Sequence, residues 1–235
     1  MKLALLGYGR MGKAIEKIAE ERGHQIVCKV DKELLSGSLD QADVAINFSV
    51  PSAAVENINT ALKNAIPVVC GTTGWLDDYQ KVTDSAIANG TAFLHASNFS
   101  IGVNLFFKLN KTLAQMMTPQ KEYKVAMEET HHIHKLDAPS GTAITLAEDI
   151  INNSDTTNWK LDEVGEKTIS IKSLREGEVP GTHSIKYKSP IDEISIEHKA
   201  HNRTGFALGA VIAAEWIAGK KRCLQNGRCP KSLNT

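Results

Sequence analysis

The sequence predicts an α/β fold in two parts. The first domain, residues 1–100 with residues 207–235 returning to it, is built on a parallel sheet, and residues 101–206 form an α+β domain with an open mixed sheet. Up to about residue 100, short apolar runs alternate with helix-periodic stretches and end in turns rich in Gly, Ser, Thr and Asn. Beyond residue 100 this alternation weakens, and strands of alternating apolar and polar residues follow, which is typical of an open sheet.

The first strand–turn–helix unit carries the most specific spacing of the N-terminal half. An apolar strand at residues 2–6 runs into Gly-Tyr-Gly-Arg-Met-Gly at residues 7–12, and a helix-periodic stretch follows. A second strand is closed by Asp31, 19 residues after Gly12. This spacing is close to the roughly 20 residues that separate the glycines from the acidic residue of a dinucleotide-binding unit. The unit therefore predicts a Rossmann-like domain that binds a nicotinamide dinucleotide.

Each glycine of this loop has its own physical role. Gly7 permits the tight turn, Gly9 lets the pyrophosphate approach the backbone, and Gly12 lets the helix lie close to the strand. Asp31 can accept hydrogen bonds from both ribose hydroxyls of NAD and repels the 2′-phosphate of NADP, a repulsion that Lys32 and Arg10 could offset. We therefore expect NADH to be used, with NADPH also accepted.

Three further strands of the first domain each end in small polar residues. They lie at residues 43–48, 67–70 and 92–95. Because the carboxyl ends of parallel strands meet at one edge of the sheet, we expect the residues that follow them to line the cofactor site. The predicted cofactor-binding residues are Gly7, Tyr8, Gly9, Arg10, Met11, Gly12, Asp31, Lys32, Phe48, Gly71, Thr72, Thr73, Ala96, Ser97, Asn98 and Phe99.

The second domain begins with a long helix and continues mainly as strands. The helix spans residues 103–117, and the strand at residues 123–127 leads into a histidine-rich stretch and another helix from residue 142. Residues 152–159 are predicted as a loop. The remaining elements are strands at residues 167–171, 183–187 and 193–199, and a small-residue-rich helix at residues 206–218 that returns to the first domain. Since exposed edges and apolar faces of an open sheet need covering, we expect it to pack against other copies in a homotetramer.

The histidine-rich stretch places three histidines and a lysine within five positions, His131 to Lys135. If the extended geometry persists, His131 and Lys135 lie on one side, and His132 and His134 on the other. The Ser-Gly-Thr turn at residues 140–142 begins the next helix, where free backbone N–H groups and two hydroxyls can hold an anion. The combination favours a site for an anionic substrate. Surface histidines beside an ordinary helix start are the alternative interpretation.

A metal site is a second alternative, because His132 and His134 project two imidazoles to one side. The lysine beside them repels a dication, and neither a cysteine nor a well-spaced third carboxylate completes a ligand set. We therefore predict no metal.

Composition sets limits on the partners. Lys+Arg and Asp+Glu are 27 each in 235 residues, so bulk charge does not indicate binding to nucleic acid or to an acidic membrane. No apolar stretch approaches the roughly 20 residues that span a bilayer. Of the four cysteines, Cys28 and Cys70 fall in apolar strands, and Cys223 and Cys229 near the C-terminus are weak evidence for a link. Reduced thiols in a cytoplasmic protein are the simple interpretation.

Two stretches of the chain are Glu-Thr-His-His-Ile-His-Lys-Leu-Asp-Ala-Pro-Ser-Gly-Thr-Ala at residues 129–143 and the glycine loop at residues 7–12. Together they resemble the 4-hydroxy-tetrahydrodipicolinate reductase (dihydrodipicolinate reductase) family of lysine and diaminopimelate synthesis. The resemblance covers nearly the whole chain. It includes residues 71–74 and 96–104, and Arg-Glu-Gly at 175–177 followed by Gly-Thr-His at 181–183. The glycine loop is one residue tighter than in the longer form of the family pattern, and Asp31-Lys32 stands in place of an acid–arginine pair, which leaves NADH against NADPH preference open.

The resemblance implies roles for His131, His132 and Lys135 of the histidine stretch, and leaves the role of His134 open, with substrate binding expected. His131 is similar to the family's proton donor or acceptor, and Lys135 to its second catalytic residue. His132 is similar to a family residue that contacts the substrate. Gly141 and Thr142 are similar to the residues that bind a substrate carboxylate. The predicted substrate-binding residues are His132, His134, Ser140, Gly141 and Thr142.

The implied reaction reduces 4-hydroxy-tetrahydrodipicolinate, as the dehydrated cyclic imine with two carboxylates, to tetrahydrodipicolinate with NAD(P)H. Hydride passes to ring C4, and the resulting enamine takes up a proton, for which a histidine beside a cation is suited. Lys135 either protonates the departing hydroxyl or holds a carboxylate. Two other functions stay open: a non-catalytic NAD(H)-binding regulatory protein, which needs an output surface such as a basic recognition helix, and a dehydrogenase of another small acid.

Overall fold

The computed structural model describes residues 1–32 and 34–220. These residues divide into two compact units. One comprises Met1–Ile101 together with the chain from Arg203 onward, and the other comprises Gly102–Asn202. The first unit holds a largely parallel sheet and the second a mixed sheet, which confirms the predicted fold class. The C-terminal cysteines Cys223 and Cys229 lie outside the described residues.

The sheet of the first unit has six strands. They are β1 (Lys2–Leu6), β2 (Gln25–Asp31), β3 (Leu34–Gly37), β4 (Val44–Asn47), β5 (Val68–Cys70) and β6 (Phe93–His95), in the order β3-β2-β1-β4-β5-β6. Neighbouring strands are parallel except β3, which pairs antiparallel with β2. β3 is an exposed four-residue edge strand without an alternating pattern, and it was not predicted from the sequence. The strand order reverses at β1, so the loop after β1 opens where ligands bind to such sheets.

Six α-helices lie in the described part of the chain. They are α1 (Arg10–Glu21), α2 (Pro51–Lys63), α3 (Tyr79–Ala88), α4 (Ile101–Met117), α5 (Gly141–Ile151) and α6 (Thr204–Ile217). No described helix is long and apolar enough to cross a membrane. In the first unit, α2 and α3 pack on one face of the sheet, and α1 and α6 on the other. Gly209 lets α6 lie close to the segment after β6, because a Cβ there would stand 1.7 Å from the Phe99 carbonyl oxygen.

The second unit contains a five-stranded sheet. Its strands are β7 (Lys124–His131), β8 (Asn158–Leu161), β9 (Thr168–Arg175), β10 (Thr182–Lys188) and β11 (Glu193–Lys199), in the order β11-β10-β7-β9-β8. β9 is parallel to β7 and β8, whereas β10 is antiparallel to β7 and β11. The prediction of a loop over residues 152–159 was wrong at its end, because Asn158 and Trp159 begin β8 and Trp159 packs against the core.

One face of this sheet is covered by α4 and α5. Met127, Ile171 and Ile185 pack there with Leu146 and Ile150 of α5. The residues that alternate with them point to the other face and include Ala126, Glu128 and Lys186. This uncovered surface carries charged groups, among them an ion pair between Lys172 and Glu128.

Candidate active site

The glycine loop between β1 and α1 is fixed by close backbone contacts. Gly7 has φ +101°, and a Cβ there would lie 2.3 Å from the Phe48 carbonyl oxygen. A Cβ on Gly12 would lie 2.3 Å from the Gly7 carbonyl oxygen, so α1 can pack this close to the loop only with glycine at that position. Gly9 differs, because no heavy atom lies within 4 Å of its Cβ position. The open side of Gly9 leaves room for a pyrophosphate beside the backbone at the start of α1, so the loop fits a dinucleotide.

The other residues of the loop divide between internal and outward positions. Tyr8 donates its hydroxyl to Glu16, and Lys29 Nζ lies 4.7 Å from the centre of the Tyr8 ring, so Tyr8 ties the loop to α1 and β2. That hydrogen bond to Glu16 raises the pKa of Tyr8. Arg10 is exposed at the first turn of α1, and Met11 packs against the core.

Asp31 lies at the end of β2, where the structure leaves it exposed. Its Oδ1 accepts a hydrogen bond of 2.9 Å from the backbone N–H of Lys32, which is exposed as well. The carboxylate therefore has a fixed backbone neighbour and remains open to solvent, as a group that reads ribose hydroxyls requires.

The residues after β5 are held by a network around Thr72. The Thr72 hydroxyl accepts hydrogen bonds from Asn47 Nδ2 at 3.1 Å and from the Ser49 N–H at 3.0 Å. Its carbonyl oxygen lies 2.7 Å from Trp75 Nε1 and 3.3 Å from His95 Nε2. Asn47 was expected at the wall of the cofactor site. Sequence reasoning missed Trp75 and His95, and all three residues are buried and support the loop.

Aromatic rings stand beside this loop. A Cβ on Gly71 would lie 2.2 Å from the Phe48 ring, and the centres of the Phe48 and Phe99 rings are 6.0 Å apart. Ala96 is buried as Phe99 is, Ser97 and Asn98 are half-buried, and Thr73 is exposed. The structure thus gathers the predicted residues after β4, β5 and β6 at one edge of the first unit.

In the second unit the strand geometry ends at His131. The next residues form a turn, in which the Lys135 N–H donates to the His132 carbonyl oxygen at 3.1 Å. The expected alternation of His131 with Lys135 against His132 with His134 is therefore wrong, because it needed extended backbone through residue 135. The turn still brings His132 and His134 together, with ring centres 6.1 Å apart.

The groups of this turn differ in exposure. His131 is 7% exposed, whereas the His134 side chain is 59% exposed and its Nε2 lies 3.3 Å from Oε1 of Glu178. Lys135 places Nζ 2.8 Å from both carboxylate oxygens of Asp137. The ammonium is thus held near the surface by a carboxylate, and the His131 imidazole lies inside.

Glu129, two residues before His131 on β7, is the centre of a buried polar cluster and is 1% exposed. Its Oε1 accepts hydrogen bonds from the Ser140 N–H at 3.0 Å and from Ser173 Oγ at 2.9 Å. Its Oε2 lies 3.5 Å from Nδ1 of His131 and 3.7 Å from Nε2 of His183. The Ser140 N–H also lies 3.1 Å from Oε2, so both oxygens share this donor, and Oε2 faces two imidazoles in addition.

Arg175, at the end of β9, closes the same cluster. Its Nη2 lies 3.4 Å from Oε1 of Glu129 and donates to the Asp137 carbonyl oxygen at 2.5 Å. Its Nε donates to the Lys135 carbonyl oxygen at 3.2 Å. The guanidinium thus connects the carboxylate to the loop that carries Lys135.

Burial decides the protonation states of this cluster. It lowers the pKa of His131 to about 4, with a further decrease from the charges of Lys135 and Arg175 and an opposing increase from Glu129. Burial and the neighbouring His131 lower the pKa of His183 to about 3. Burial alone raises the pKa of Glu129, but hydrogen bonds from Ser140 and Ser173 and the His131 charge outweigh it, and the net pKa is lowered. At neutral pH a carboxylate therefore faces two neutral imidazoles.

The predicted anion-binding turn is partly used within the protein. Ser140 gives its N–H to Glu129, and its hydroxyl accepts from the Ala143 N–H at 3.2 Å as the N-cap of α5. The same hydroxyl lies 3.2 Å from Nε2 of His183. Gly141 borders open space, with no heavy atom within 4 Å of its Cβ position, and Thr142 is half-buried in the first helical turn. Ser140 thus supports the turn from inside the protein, and Gly141 forms the side of the turn that is open to a ligand.

A metal would find three ligand atoms here, because those of Glu129, His131 and His183 lie within 4.8 Å of one another. However, Oε1 of Glu129 is occupied by donors, and the Arg175 guanidinium beside it repels a dication. The cluster is better suited to hold and direct protons.

Strand register explains which residues sequence reasoning missed. Glu129 pairs with His183 across β7 and β10, and with Ser173 across β7 and β9, while His131 pairs with Arg175. Arg175 and His183 were quoted in the motif resemblance without a role. The signal that assigns them one is the pairing of three strands, which spacing along the chain does not reveal.

A glycine loop at the reversal of a parallel sheet, together with a buried imidazole and an ammonium in a second unit, defines an NAD(P)H-dependent oxidoreductase. The chain belongs to the dihydrodipicolinate reductase family: the family models described as "Dihydrodipicolinate reductase, N-terminus" and "Dihydrodipicolinate reductase, C-terminus" match residues 1–99 and 102–226. The resemblance inferred from the sequence is confirmed.

Individual relatives agree with this assignment. The chain is 55% identical to the 4-hydroxy-tetrahydrodipicolinate reductase of Christiangramia forsetii, over 94% of this chain and 93% of the relative. It is 36% identical to the enzyme of that name from Methanoculleus marisnigri, over 76% and 71%. The dipicolinate-bound dihydrodipicolinate reductase from Paenisporosarcina sp. TG-14 superposes with a TM-score of 0.76 at 23% identity, over 96% of this chain and 97% of that one, and supports the fold.

Proposed function

We propose that this chain reduces 4-hydroxy-tetrahydrodipicolinate to tetrahydrodipicolinate with NAD(P)H, in lysine and diaminopimelate biosynthesis. The observation that carries the proposal is the buried His131 imidazole, which ends β7 between the Glu129 carboxylate and the Lys135 loop in a chain of this family. The relative that bears this activity in its name and is 55% identical over 94% of the chain supports the substrate.

The first unit is proposed to bind the cofactor, over the predicted residues 1–100 and 207–235. The backbone from Gly7 to Gly12 would hold the pyrophosphate, and Asp31 with Lys32 would hold the adenine ribose. Phe48, the Gly71–Thr73 loop and residues 96–99 would hold the nicotinamide end. When bound, NAD(P)H supplies the hydride that reaches ring C4 of the substrate.

The second unit, predicted at residues 101–206, is proposed to bind the doubly negative substrate. Gly141 and Thr142 begin α5, where the backbone N–H groups and the positive end of the helix dipole attract a carboxylate. Lys135 is a candidate for the second carboxylate. Its ammonium already binds Asp137, an exposed carboxylate, which favours anchoring over proton donation. His132 and His134 border the same loop as further substrate contacts.

His131 is proposed to give the proton that completes the reaction. Loss of the 4-hydroxyl as water leaves a conjugated imine, hydride addition at C4 gives an enamine, and protonation of the ring carbon next to C4 gives the product. The imidazole is neutral in the free protein, because burial lowers its pKa to about 4. A substrate with two carboxylates raises that pKa when it binds, so the substrate itself charges its proton donor.

The activity is tested with the coupled product of pyruvate and aspartate semialdehyde. We expect loss of reduced nicotinamide that depends on this product, with neither precursor alone sufficient, and inhibition by pyridine-2,6-dicarboxylate, a planar mimic of the ring. A non-catalytic NAD(H)-binding regulatory protein would bind NADH without oxidising it. A dehydrogenase of another small acid would not be inhibited by the pyridine dicarboxylate.

We also propose a homotetramer that assembles through the uncovered face of the second unit's sheet. In the described residues both helices of that unit, α4 and α5, pack on the opposite face, and β8 and β11 leave two open edges. Light scattering after size exclusion should give four chain masses. Glu128 and Lys186 point to the uncovered face, and charge reversal at these two residues should reduce the measured mass. A single chain mass for the unchanged protein would remove the proposal.

A cytoplasmic location is proposed as well. Cys28 and Cys70 are buried and free, which fits a reducing compartment, and the reaction consumes NAD(P)H. Fractionation with an antibody to the chain would test it, and recovery with exported proteins would contradict it.

A further inference from the structure

The second unit contains a buried carboxylate to which the mechanism gives no task. Glu129 is fully enclosed, and a charge in such a position is costly unless donors surround it. Its Oε1 accepts from Ser140 and Ser173 and lies near the Arg175 guanidinium. Its Oε2 is directed at two imidazoles, with the Nδ1 atom of His131 at 3.5 Å. A residue placed there only for packing would not need this set of contacts.

The side of His131 that faces Glu129 is well defined. Its Nδ1 is buried and forms no hydrogen bond of ordinary length in the described residues, so Oε2 of Glu129 is the acceptor on that side. The other ring nitrogen, Nε2, lies 3.1 Å from the Cβ position of Gly181, where only glycine leaves space. A carboxylate next to Nδ1 holds the neutral ring with its proton on Nδ1, and Nε2 is then the atom that takes up and releases the transferred proton.

We infer that Glu129 is a positioning residue of the reductase: its charge fixes the tautomer of His131 and stabilises the imidazolium, and its hydrogen bond to Ser140 holds the first turn of α5 in place for a substrate carboxylate. The inference rests on the proposed function and deepens it. One side chain thereby couples the proton donor on β7 to the anion-binding end of α5. Glu129 touches neither substrate nor cofactor in this assignment.

The charge of Glu129 acts on His131 together with several others. Lys135 of the following loop and Arg175 of β9 disfavour the imidazolium, Asp137 favours it, and His183 of β10 packs against the ring with centres 5.1 Å apart. Removal of the Glu129 charge leaves two cations opposed by the exposed carboxylate of Asp137. The proton donor would then lose its proton at a lower pH.

Two substitutions separate the two tasks of Glu129. Glu129→Gln keeps an oxygen that can accept from Ser140 and removes the charge. It should move the alkaline limb of the kcat profile to lower pH by about one unit or more, with KM for the substrate changed by less than about threefold. Glu129→Ala removes the acceptor too, and should in addition raise KM by about tenfold.

Glu148→Gln is the matched control. Glu148 is an exposed glutamate of α5, the helix whose first turn Glu129 holds, and it lies outside the Glu129 cluster. Neither the pH profile nor KM should change in this variant. NADH affinity, a property of the first unit, should stay constant in all three proteins and shows that this unit folds.

A measurement on the unchanged protein completes the test and needs no variant. Nitrogen-15 chemical shifts of the His131 ring at pH 7 should identify the Nδ1–H tautomer. A ring with its proton on Nε2, or a Glu129→Gln enzyme with the profile of the unchanged protein, would overturn the inference. Failure of the proposed function looks different, because the unchanged protein would then not turn over the coupled product at all.

Discussion

The backbone N–H of Ser140 lies 3.0 Å from Oε1 of Glu129, eleven residues earlier in the chain, and this hydrogen bond joins the start of α5 to the end of β7. The same carboxylate faces His131 with its other oxygen. A helix N-terminus that can receive an anion and an imidazole that can receive a proton are therefore positioned by one buried side chain.

Gly9 and Gly7 should differ in what their replacement affects. Gly9 has φ −77° and open space at its Cβ position, so Gly9→Ala should leave the melting temperature unchanged and weaken NADH binding by about tenfold, because the methyl group occupies the place of the pyrophosphate. Gly7→Ala should lower the melting temperature, since its Cβ would meet the Phe48 carbonyl oxygen. Calorimetric titration with NADH and thermal unfolding separate the two. Equal NADH affinity in Gly9→Ala would show that the loop does not hold the cofactor.

Asp31 should govern the preference between the two nicotinamide cofactors. Asp31→Ser removes the repulsion of a 2′-phosphate and leaves Lys32 in place, so the ratio of kcat/KM for NADPH to that for NADH should rise by about tenfold. Asp84→Ser, at an exposed position of α3 bonded to Gln80, is the control and should leave the ratio unchanged. No shift on replacement of Asp31 would mean that another residue reads the ribose.

Two glycines of α6 offer a matched pair for stability. Gly209→Ala should cost about 2 kcal/mol in the free energy of unfolding, because its Cβ would overlap the Phe99 carbonyl oxygen and force the helix away. The nearest atom to a Cβ on Gly205 is Ser100 Oγ at 3.6 Å, an ordinary contact, so Gly205→Ala should be neutral or slightly stabilising. Urea unfolding followed by circular dichroism measures both. Similar stability of the two variants would contradict the close packing of α6.

Stability should fall as the solution is acidified from about pH 6.5 to 4. His131 and His183 have folded pKa values of about 4 and about 3, below the roughly 6.5 of an unfolded histidine. The unfolded chain binds more protons in that range, so the free energy of unfolding rises with pH from about 4 to 6.5. Above pH 6.5 the stabilisation by the two neutral imidazoles is complete. The lowered pKa of Glu129 adds stability that is lost as the pH falls below about 4.5, the value of an unfolded glutamate.

Melting temperatures at pH 7 and pH 4.5 measure this dependence. His183→Gln should reduce the difference between them, because one of the two neutral imidazoles is gone. A His201→Gln variant, changed at an exposed position, should keep the full difference. A melting temperature independent of pH over this range would mean that neither imidazole is buried in solution.

The sequence alone predicted the elements that local patterns determine. The strand before Gly7, the acid that closes β2 and the helix after Ser140 each follow from apolar periodicity and turn residues near each other in the chain. It failed at β3 and β8, short edge strands whose residues have no strong pattern and which form because a neighbouring strand offers hydrogen bonds.

The candidate site shows the same division. His131 and Lys135 were predicted as site residues from one stretch rich in titratable groups. The turn that begins at residue 132 gives the residues after His131 a different orientation from the extended one expected. Ser173 and His183 belong to the cluster because β9 and β10 pair with β7 in a particular register. Pairing across more than forty residues depends on the packing of the whole unit, and no short motif encodes it.

The central claim is that the buried imidazole at the end of β7 donates the proton that completes substrate reduction. The most direct test is kcat of His131→Gln with the coupled product of pyruvate and aspartate semialdehyde, beside His201→Gln as the control and with NADH affinity measured in both. We predict a loss of about 10²-fold in kcat for His131→Gln with unchanged NADH affinity, and a control equal to the unchanged protein. Full turnover by His131→Gln would contradict the account.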